Sequence, residues 1–437
     1  MFEHRIVVDL TPICNYGELG GAQTLAYNLL PTLARIAPNK EFIILGSEQI
    51  GQDMFPVKIP NIRWFQIDID KYGQKRSNLS QYITAILHKL LFQHLPYPLF
   101  QIIKHRFNQV AGAQRQGGIT QSLHADLLFC PFTAPLFWDP LVPTVTIIHD
   151  LQFLSYPQFF NQEQLFYFRE QFEDAIHLSS HIITVSNYVK QTVLRASKIN
   201  PDRVSTIYNL IYGRLRNHLD EQLFTTILEK YRLKANRFLI YPANFWPHKN
   251  HDRLFTAYNE YRSCYPDSDL KLVCMGSGKD GIRLAQSLII SQGLSEYIEC
   301  PGYIPDSELA VLFSNCKALI FPSLHEGFGM PVLEAMAFGK PVLCSYKASL
   351  PEVAGDGAFY FDPENIAEMK SVIVSIEHDE QFHQSLIRRS KARILQLGDK
   401  EHMAGQYNDI FDKIIMRNKG ELKDANSNRC DPLSKPE

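Results

Sequence analysis

Residues 318–344 read ALIFPSLHEGFGMPVLEAMAFGKPVLC. Two short apolar runs, ALIF and PVLC, bracket a segment in which Pro331 can open a helix, Val332, Leu333 and Met336 continue it, and Gly339 closes it. A continuous apolar strand, a helix and a second such strand are the pattern of a parallel sheet covered on both faces. The pattern recurs along the chain: IVVDL at 6–10, FIIL at 42–45, DLLFC at 126–130, TVTIIHD at 144–150 and HIITVS at 181–186, then FLIYPAN at 238–244, KLVCMG, YIECPGYI and AFYFD. It loosens after Asn209 and restarts at Phe238, which places a boundary within 210–236. The expected fold class is α/β, with two doubly wound Rossmann-like domains, 1–215 and 236–400, facing across a cleft at their strand carboxyl ends. Residues 402–417 carry Met403, Tyr407, Ile410, Phe411, Ile414 and Ile415 at helical spacing, so a terminal helix with a face to bury is expected, followed by a polar, disordered tail at 418–437.

At 437 residues the chain exceeds one ordinary core and suits two domains, and its 45% hydrophobic and 21% charged residues are ordinary globular usage. A net charge of -2 gives no overall basic excess, so nucleic acid is not an expected partner. The eight cysteines are scattered without a CxxC pair, and several sit in apolar runs, as reduced core thiols of a cytoplasmic protein do. The N-terminus enters a strand at once and lacks the pattern of a secretory leader, and no stretch of about 18 apolar residues offers a membrane span. A cytoplasmic location is expected.

The chemistry gathers at four places. Glu326 lies in the loop after ALIF, while Glu334 is one turn into the next helix, and Gly327 and Gly329 allow a ligand to approach backbone N–H groups at the helix start. A sugar and a ribose joined by a diphosphate would use both carboxylates and the amides between them. The plainer reading is a solvated loop glutamate and a second one favoured by the helix dipole. The second place, Tyr241–Asn250, follows the first strand of the second half, and offers Lys249 as a cation for a diphosphate with Asn244 and His248 as donors. A basic surface loop is the alternative. The third, Gly17–Gln23, lacks both the Gly-Lys-Ser/Thr ending of a P-loop and GxGxxG spacing, and reads either as a glycine turn approaching a ligand or as a plain strand-to-helix turn. The fourth is His149-Asp150 at the end of TVTIIHD; a lone histidine there is more often structural, and it gains weight only by converging with the others.

Together these elements resemble the retaining glycosyltransferases of family 4, which have the GT-B architecture. The resemblance rests on the E-x7-E pair in HEGFGMPVLEAMAFGKPV and the following SLPEVAGDGAFYFDP; it covers roughly residues 5–417 and is more specific in the second half. It implies that Glu326 and His149 contact a donor sugar, that Glu334 contacts the ribose, and that the backbone of Phe328, Gly329, Met330, Pro331 and Val332 cradles the diphosphate. Lys249 would neutralise the departing diphosphate, Gly20 and Gly21 would approach phosphate and acceptor, and Tyr303 and Ile304 would lie near the nucleobase. It also implies a helix at 402–417 that crosses back to the first domain. Many relatives place an arginine where this chain has Asn244, which leaves more of the diphosphate charge to Lys249.

The implied reaction moves a mannose- or glucose-type hexose from a GDP- or UDP-sugar to a glycan or lipid-linked acceptor, in polysaccharide or glycolipid biosynthesis. It proceeds with retention, without metal or cofactor, and with Glu326, Lys249 and His149 as the catalytic set. The alternatives are a GT-B-like nucleotide-sugar epimerase and a catalytically silent carbohydrate-binding protein. Residues 71–124 hold seven Lys and Arg and no Asp or Glu among large apolar side chains, and suit peripheral contact with an anionic membrane face as well as amphipathic helices packed on the first domain.

Overall fold

The computed structural model describes residues 2–14, 20–46, 58–67 and 117–427. Residues 71–116 of the basic stretch and Gly17, Glu18 and Leu19 of the glycine turn lie outside the described residues. Contacts divide the chain into two compact units, Met1–Ile147 with Arg169–Ile183 and Ala404–Glu437, and Ile148–Phe168 with Thr184–Met403.

The first sheet consists of β1 (His4–Asp9), β2 (Lys40–Gly46), β3 (Ile62–Gln66), β4 (Leu127–Cys130), β5 (Thr144–Ile148), β6 (His181–Thr184) and β7 (Val204–Thr206), in the order β3-β2-β1-β4-β5-β6-β7. The second consists of β8 (Phe238–Pro242), β9 (Lys271–Met275), β10 (Ile298–Gly302), β11 (Ala318–Phe321), β12 (Val342–Ser345) and β13 (Phe359–Phe361), in the order β10-β9-β8-β11-β12-β13. Neighbouring strands such as β1 with β2, and β11 with β8 and β12, run parallel, and helices fill connections such as those from β1 to β2, β5 to β6 and β8 to β9. The apolar runs do not alternate because both faces are covered: Ile6, Val7 and Val8 of β1 and Leu239 and Ile240 of β8 are fully buried. Strand order reverses between β1 and β4 and again between β8 and β11, so each sheet has a switch point at which the connections after two adjacent strands part and leave a crevice.

The segment before β8 carries the short helices Arg214–His218, Glu221–Leu223 and Phe224–Lys230. The terminal helix runs Lys400–Ser427, so residues 418–427, read from their polarity as disordered, are helical; 428–437 lie outside the described residues. Polarity excluded a core there but not a helix. Lys419 ties the extension to Asp126 at 2.9 Å, and Glu, Leu and Lys at 421–423 are good helix formers. Tyr407 and Phe411 of the helix pack on Phe129 of β4, with ring centroids 5.9 and 5.0 Å away. Cys130, Cys264, Cys274, Cys300, Cys316 and Cys344 are free thiols, and among the described residues no helix is long and apolar enough to cross a membrane.

Lys40, at the start of β2, is only 2% exposed, and its ammonium reaches Asp412 of the terminal helix at 2.7 Å and Asn408 at 2.5 Å. Removing Asp412 leaves a buried cation with one neutral partner. Asp412→Ala is therefore expected to destabilise the protein by about 2–3 kcal/mol. Adding Lys40→Met to it should recover most of that loss in a denaturant titration, because the unpaired charge is gone. Equal stability of Asp412→Ala and the parent chain would show that this pair does not anchor the helix.

Candidate active site

The connections after β8 and β11 leave from the switch point of the second sheet. The first, residues 243–250, makes one 3-10 turn at Pro247–Lys249 and enters the helix His251–Cys264 through Asn250, whose φ is +63°. Asn250 is in the left-handed region because its carboxamide is needed where it points: Nδ2 donates to the carbonyls of Pro322 (3.1 Å) and Pro363 (2.7 Å). The Leu324 amide donates to the His248 carbonyl at 2.8 Å. The Tyr241 hydroxyl donates to the Lys249 carbonyl at 2.7 Å and lies 3.0 Å from Ser323 Oγ. These ties bring Lys249 Nζ to 2.7 Å from Glu326 Oε1, with both side chains largely buried.

Three histidines surround this pair, and all are held neutral. His248, His251 and His325 are buried, and burial is the main cause that lowers each pKa, with the Lys249 charge adding to it; His248 is pushed down to about 2 and His251 to about 3. The His251 ring sits 4.3 Å from Phe245 and 4.7 Å from Tyr241. His325 meets the rings of Tyr156 and Tyr188 edge-on, and its Nε2 is buried without a hydrogen-bond partner. Among Lys249 and these three rings, the lysine is thus the cation. Residue type alone does not distinguish His325, although it directly precedes Glu326.

Gly327 shows how His149 comes to the same place. A Cβ on Gly327 would lie 1.9 Å from the His149 carbonyl oxygen and 2.9 Å from Asp150 Cβ, so the backbone of His149-Asp150 passes where any side chain would stand. Ser186 Oγ donates to the Gly327 carbonyl at 2.7 Å and Ser349 Oγ to the Glu326 carbonyl at 3.0 Å, which fixes the loop from two sides.

Gly329, at φ +88°, turns the chain into the helix Met330–Ala337 with Pro331 in its first turn. Phe328 and Val332 are buried, and the Val332 amide donates to the Gly329 carbonyl at 3.0 Å. Pro331 has no N–H, so the amides of Gly329 and Met330 are the donors this turn can offer an anion. Glu334, 2% exposed, accepts from Arg214 Nε at 2.8 Å, and Arg214 Nη1 lies 2.5 Å from Asp306 Oδ2. Burial raises the Glu334 pKa and the guanidinium pulls it back; for Arg214, burial works against the charge, and Glu334 and Asp306 outweigh it. No local motif points to Arg214, which precedes Glu334 by 120 residues.

The other expected site residues are less concentrated. Asn244 Oδ1 accepts from both the amide and the hydroxyl of Ser277 at 2.9 Å, so its carboxamide oxygen braces the connection after β9. After β10, Tyr303 is three-quarters exposed whereas Ile304 is buried in the core. Gly20 and Gly21 begin the helix Gly20–Ile36 of the first unit.

Residues 224–393 match the family described as glycosyl transferases group 1, and residues 81–212 match glycosyltransferase family 4. The chain is 28% identical over 273 residues to the O-antigen chain mannosyltransferase B of Escherichia coli, covering 61% of this chain and 70% of that protein. It is 31% identical over 240 residues to the O-antigen chain mannosyltransferase RfbU of Salmonella typhimurium, covering 54% of this chain and 62% of that relative's length. The crystal structure of Anabaena HepE in complex with UDP-glucose superposes with a TM-score of 0.68 at 17% identity, over 94% of this chain and 100% of that one. Two parallel sheets of this order, each with a switch-point crevice, are the GT-B fold. The chain belongs to glycosyltransferase family 4.

Gly327→Ala tests the assembly of this corner. A Cβ 1.9 Å from a backbone oxygen cannot be relieved by turning a side chain, so the loop carrying Glu326 must shift. Transfer should fall by about 100-fold, the scale of an ångström-sized misplacement. Gly118→Ala, with nothing within 4 Å of its Cβ, should leave the rate unchanged. Parent-like turnover in Gly327→Ala would show that the contact with His149 does not position the loop.

Proposed function

We propose that this chain transfers a mannose-type hexose from a GDP- or UDP-linked donor to a glycan or lipid-linked acceptor in polysaccharide assembly, with retention at the anomeric carbon and without metal or cofactor. The observation that carries the reading is the Lys249–Glu326 pair at 2.7 Å, set at the switch point beside a helix start with two amides to offer. The mannosyltransferases among its relatives favour mannose, and the UDP-glucose in the Anabaena structure supports a nucleotide sugar.

In this reading the donor diphosphate lies between Lys249 and the amides of Gly329 and Met330, the sugar meets Glu326 and His149, and the ribose meets Glu334. The acceptor hydroxyl attacks the anomeric carbon on the face from which the diphosphate departs. The glycosidic C–O bond forms as the C–O bond to phosphate breaks, and the acceptor proton passes to the leaving phosphate oxygen. Lys249 stabilises the charge that grows on that oxygen, an interaction stronger in the transition state than in the bound donor. Glu326 places the sugar and faces the positive charge developing at its ring.

Lys249→Ala should lower kcat by about 100-fold or more with a smaller change in donor KM. A raised KM with unchanged kcat would make Lys249 a ground-state anchor instead. In calorimetry, Glu334→Ala should weaken both the nucleotide sugar and the free nucleoside diphosphate, and Glu326→Ala only the former; the reverse pattern would overturn the two assignments. Nuclear magnetic resonance of the product should show the donor's anomeric configuration, and turnover of donor without acceptor to an epimeric nucleotide sugar would point to the epimerase reading.

Residues 71–124 are the proposed membrane-facing stretch. Co-sedimentation should require anionic lipid and fade with salt, since each surface Lys or Arg contributes about 1 kcal/mol near such a leaflet. Equal recovery with neutral and anionic vesicles would remove this part of the proposal.

A further inference from the structure

We propose that Arg214 is a positioning residue for the nucleotide end of the donor, holding the Glu334 carboxylate in place for the ribose hydroxyls of a nucleoside diphosphate. The inference rests on the assignment of Glu334 to the ribose and adds a residue from the segment that precedes the second sheet. Arg214 opens the 3-10 helix Arg214–His218, and its guanidinium bridges two elements, with Nε 2.8 Å from Glu334 Oε1 and Nη1 2.5 Å from Asp306 Oδ2 at the start of the helix Asp306–Asn315. The Arg214 and Glu334 side chains are 14% and 3% exposed.

A carboxylate this deeply buried takes up a proton unless a cation faces it. The protonated acid offers one donor and loses much of its accepting strength, whereas the carboxylate accepts hydrogen bonds from hydroxyls at both oxygens. The guanidinium engages Oε1 and so leaves Oε2 for a ligand. The other arm of the guanidinium, on Asp306, fixes where the cation stands against Oε1.

The charged groups that act on Glu334 are Arg214 and Asp306. Other basic residues around the helix Met330–Ala337 are engaged elsewhere. Arg216 donates to the Ala337 carbonyl and lies 6.0 Å over the Phe338 ring, Arg389 donates to the carbonyls of Asp356 and Ala358, Arg393 donates to those of Val353 and Glu352, and Lys391 lies beside Gly339. Arg216 therefore serves as a control: it fastens the same helix from the same turn but does not touch Glu334.

The test measures binding of GDP and UDP to the full chain by calorimetry between pH 6 and 9, each variant expressed as a ratio to the parent at the same pH, so that ionisation of the phosphates cancels. Without the guanidinium the Glu334 pKa rises further, so the charged fraction grows only as pH increases. Arg214→Gln should bind about tenfold more weakly than the parent at pH 7 and recover most of that loss by pH 9, with donor KM raised and kcat changed little. Arg214→Lys should restore most of the affinity at pH 7. Glu334→Gln should bind weakly at every pH, and serves if Arg214→Gln does not fold. Arg216→Gln should lower the melting temperature with a flat affinity ratio. A flat ratio for Arg214→Gln, equal pH dependence in Arg216→Gln, or a pH-dependent ratio for Glu334→Gln would overturn the role of Arg214. Unchanged nucleotide affinity in Glu334→Ala would instead remove the ribose assignment beneath it.

Discussion

The ion pair between Lys249 and Glu326 exists because β8 and β11 are neighbours in the sheet although the two residues are 77 apart in the chain. A parallel strand order that reverses at this point sends the two connections apart, and the side chains at their ends face one crevice. Almost every local feature nearby serves that placement. Asn250 accepts a left-handed backbone so that its carboxamide can hold two carbonyls of the neighbouring connections, and Tyr241 and the Leu324 amide close the remaining gap.

Charge in this corner is managed by pairing and by exclusion. Burial keeps His248, His251 and His325 neutral beside the lysine, so no second positive charge crowds Lys249 from these rings. Glu326 is matched by Lys249, and Glu334 by Arg214, which in turn meets Asp306. A buried pair adds little net stability compared with an apolar replacement, because desolvation takes back most of the Coulomb gain. Under the proposed function, two such pairs at the ends of one loop-helix segment are preorganised binding groups.

The first unit uses the same physics for a different end. Lys40 and Asp412 fasten the terminal helix to β2, while Phe129 packs against Tyr407 and Phe411, so a segment at the far end of the chain completes a core begun by the first strands. The apolar face of that helix was legible from its spacing. Its length was not, because polar residues beyond the core face leave helix and coil close in free energy until contacts such as Lys419 with Asp126 decide between them.

Local pattern alone determined the α/β class, the strands buried on both faces, the helix that starts beyond Gly329 with Pro331, and the glutamates and lysine at strand carboxyl ends. Each of these follows from burial and backbone geometry within a few residues, which sequence records directly. Tertiary structure alone decided which connections meet. An apolar run such as LLFC or ALIF is sticky on both faces and carries no mark of its neighbour, so sheet order, and with it the Lys249–Glu326 contact, had to come from the fold or from resemblance. The partnership of Arg214 with Glu334, the burial of His325 and the need for glycine at 327 are set by chains that approach from more than a hundred residues away. No local periodicity encodes such an approach, because it depends on where whole elements come to rest.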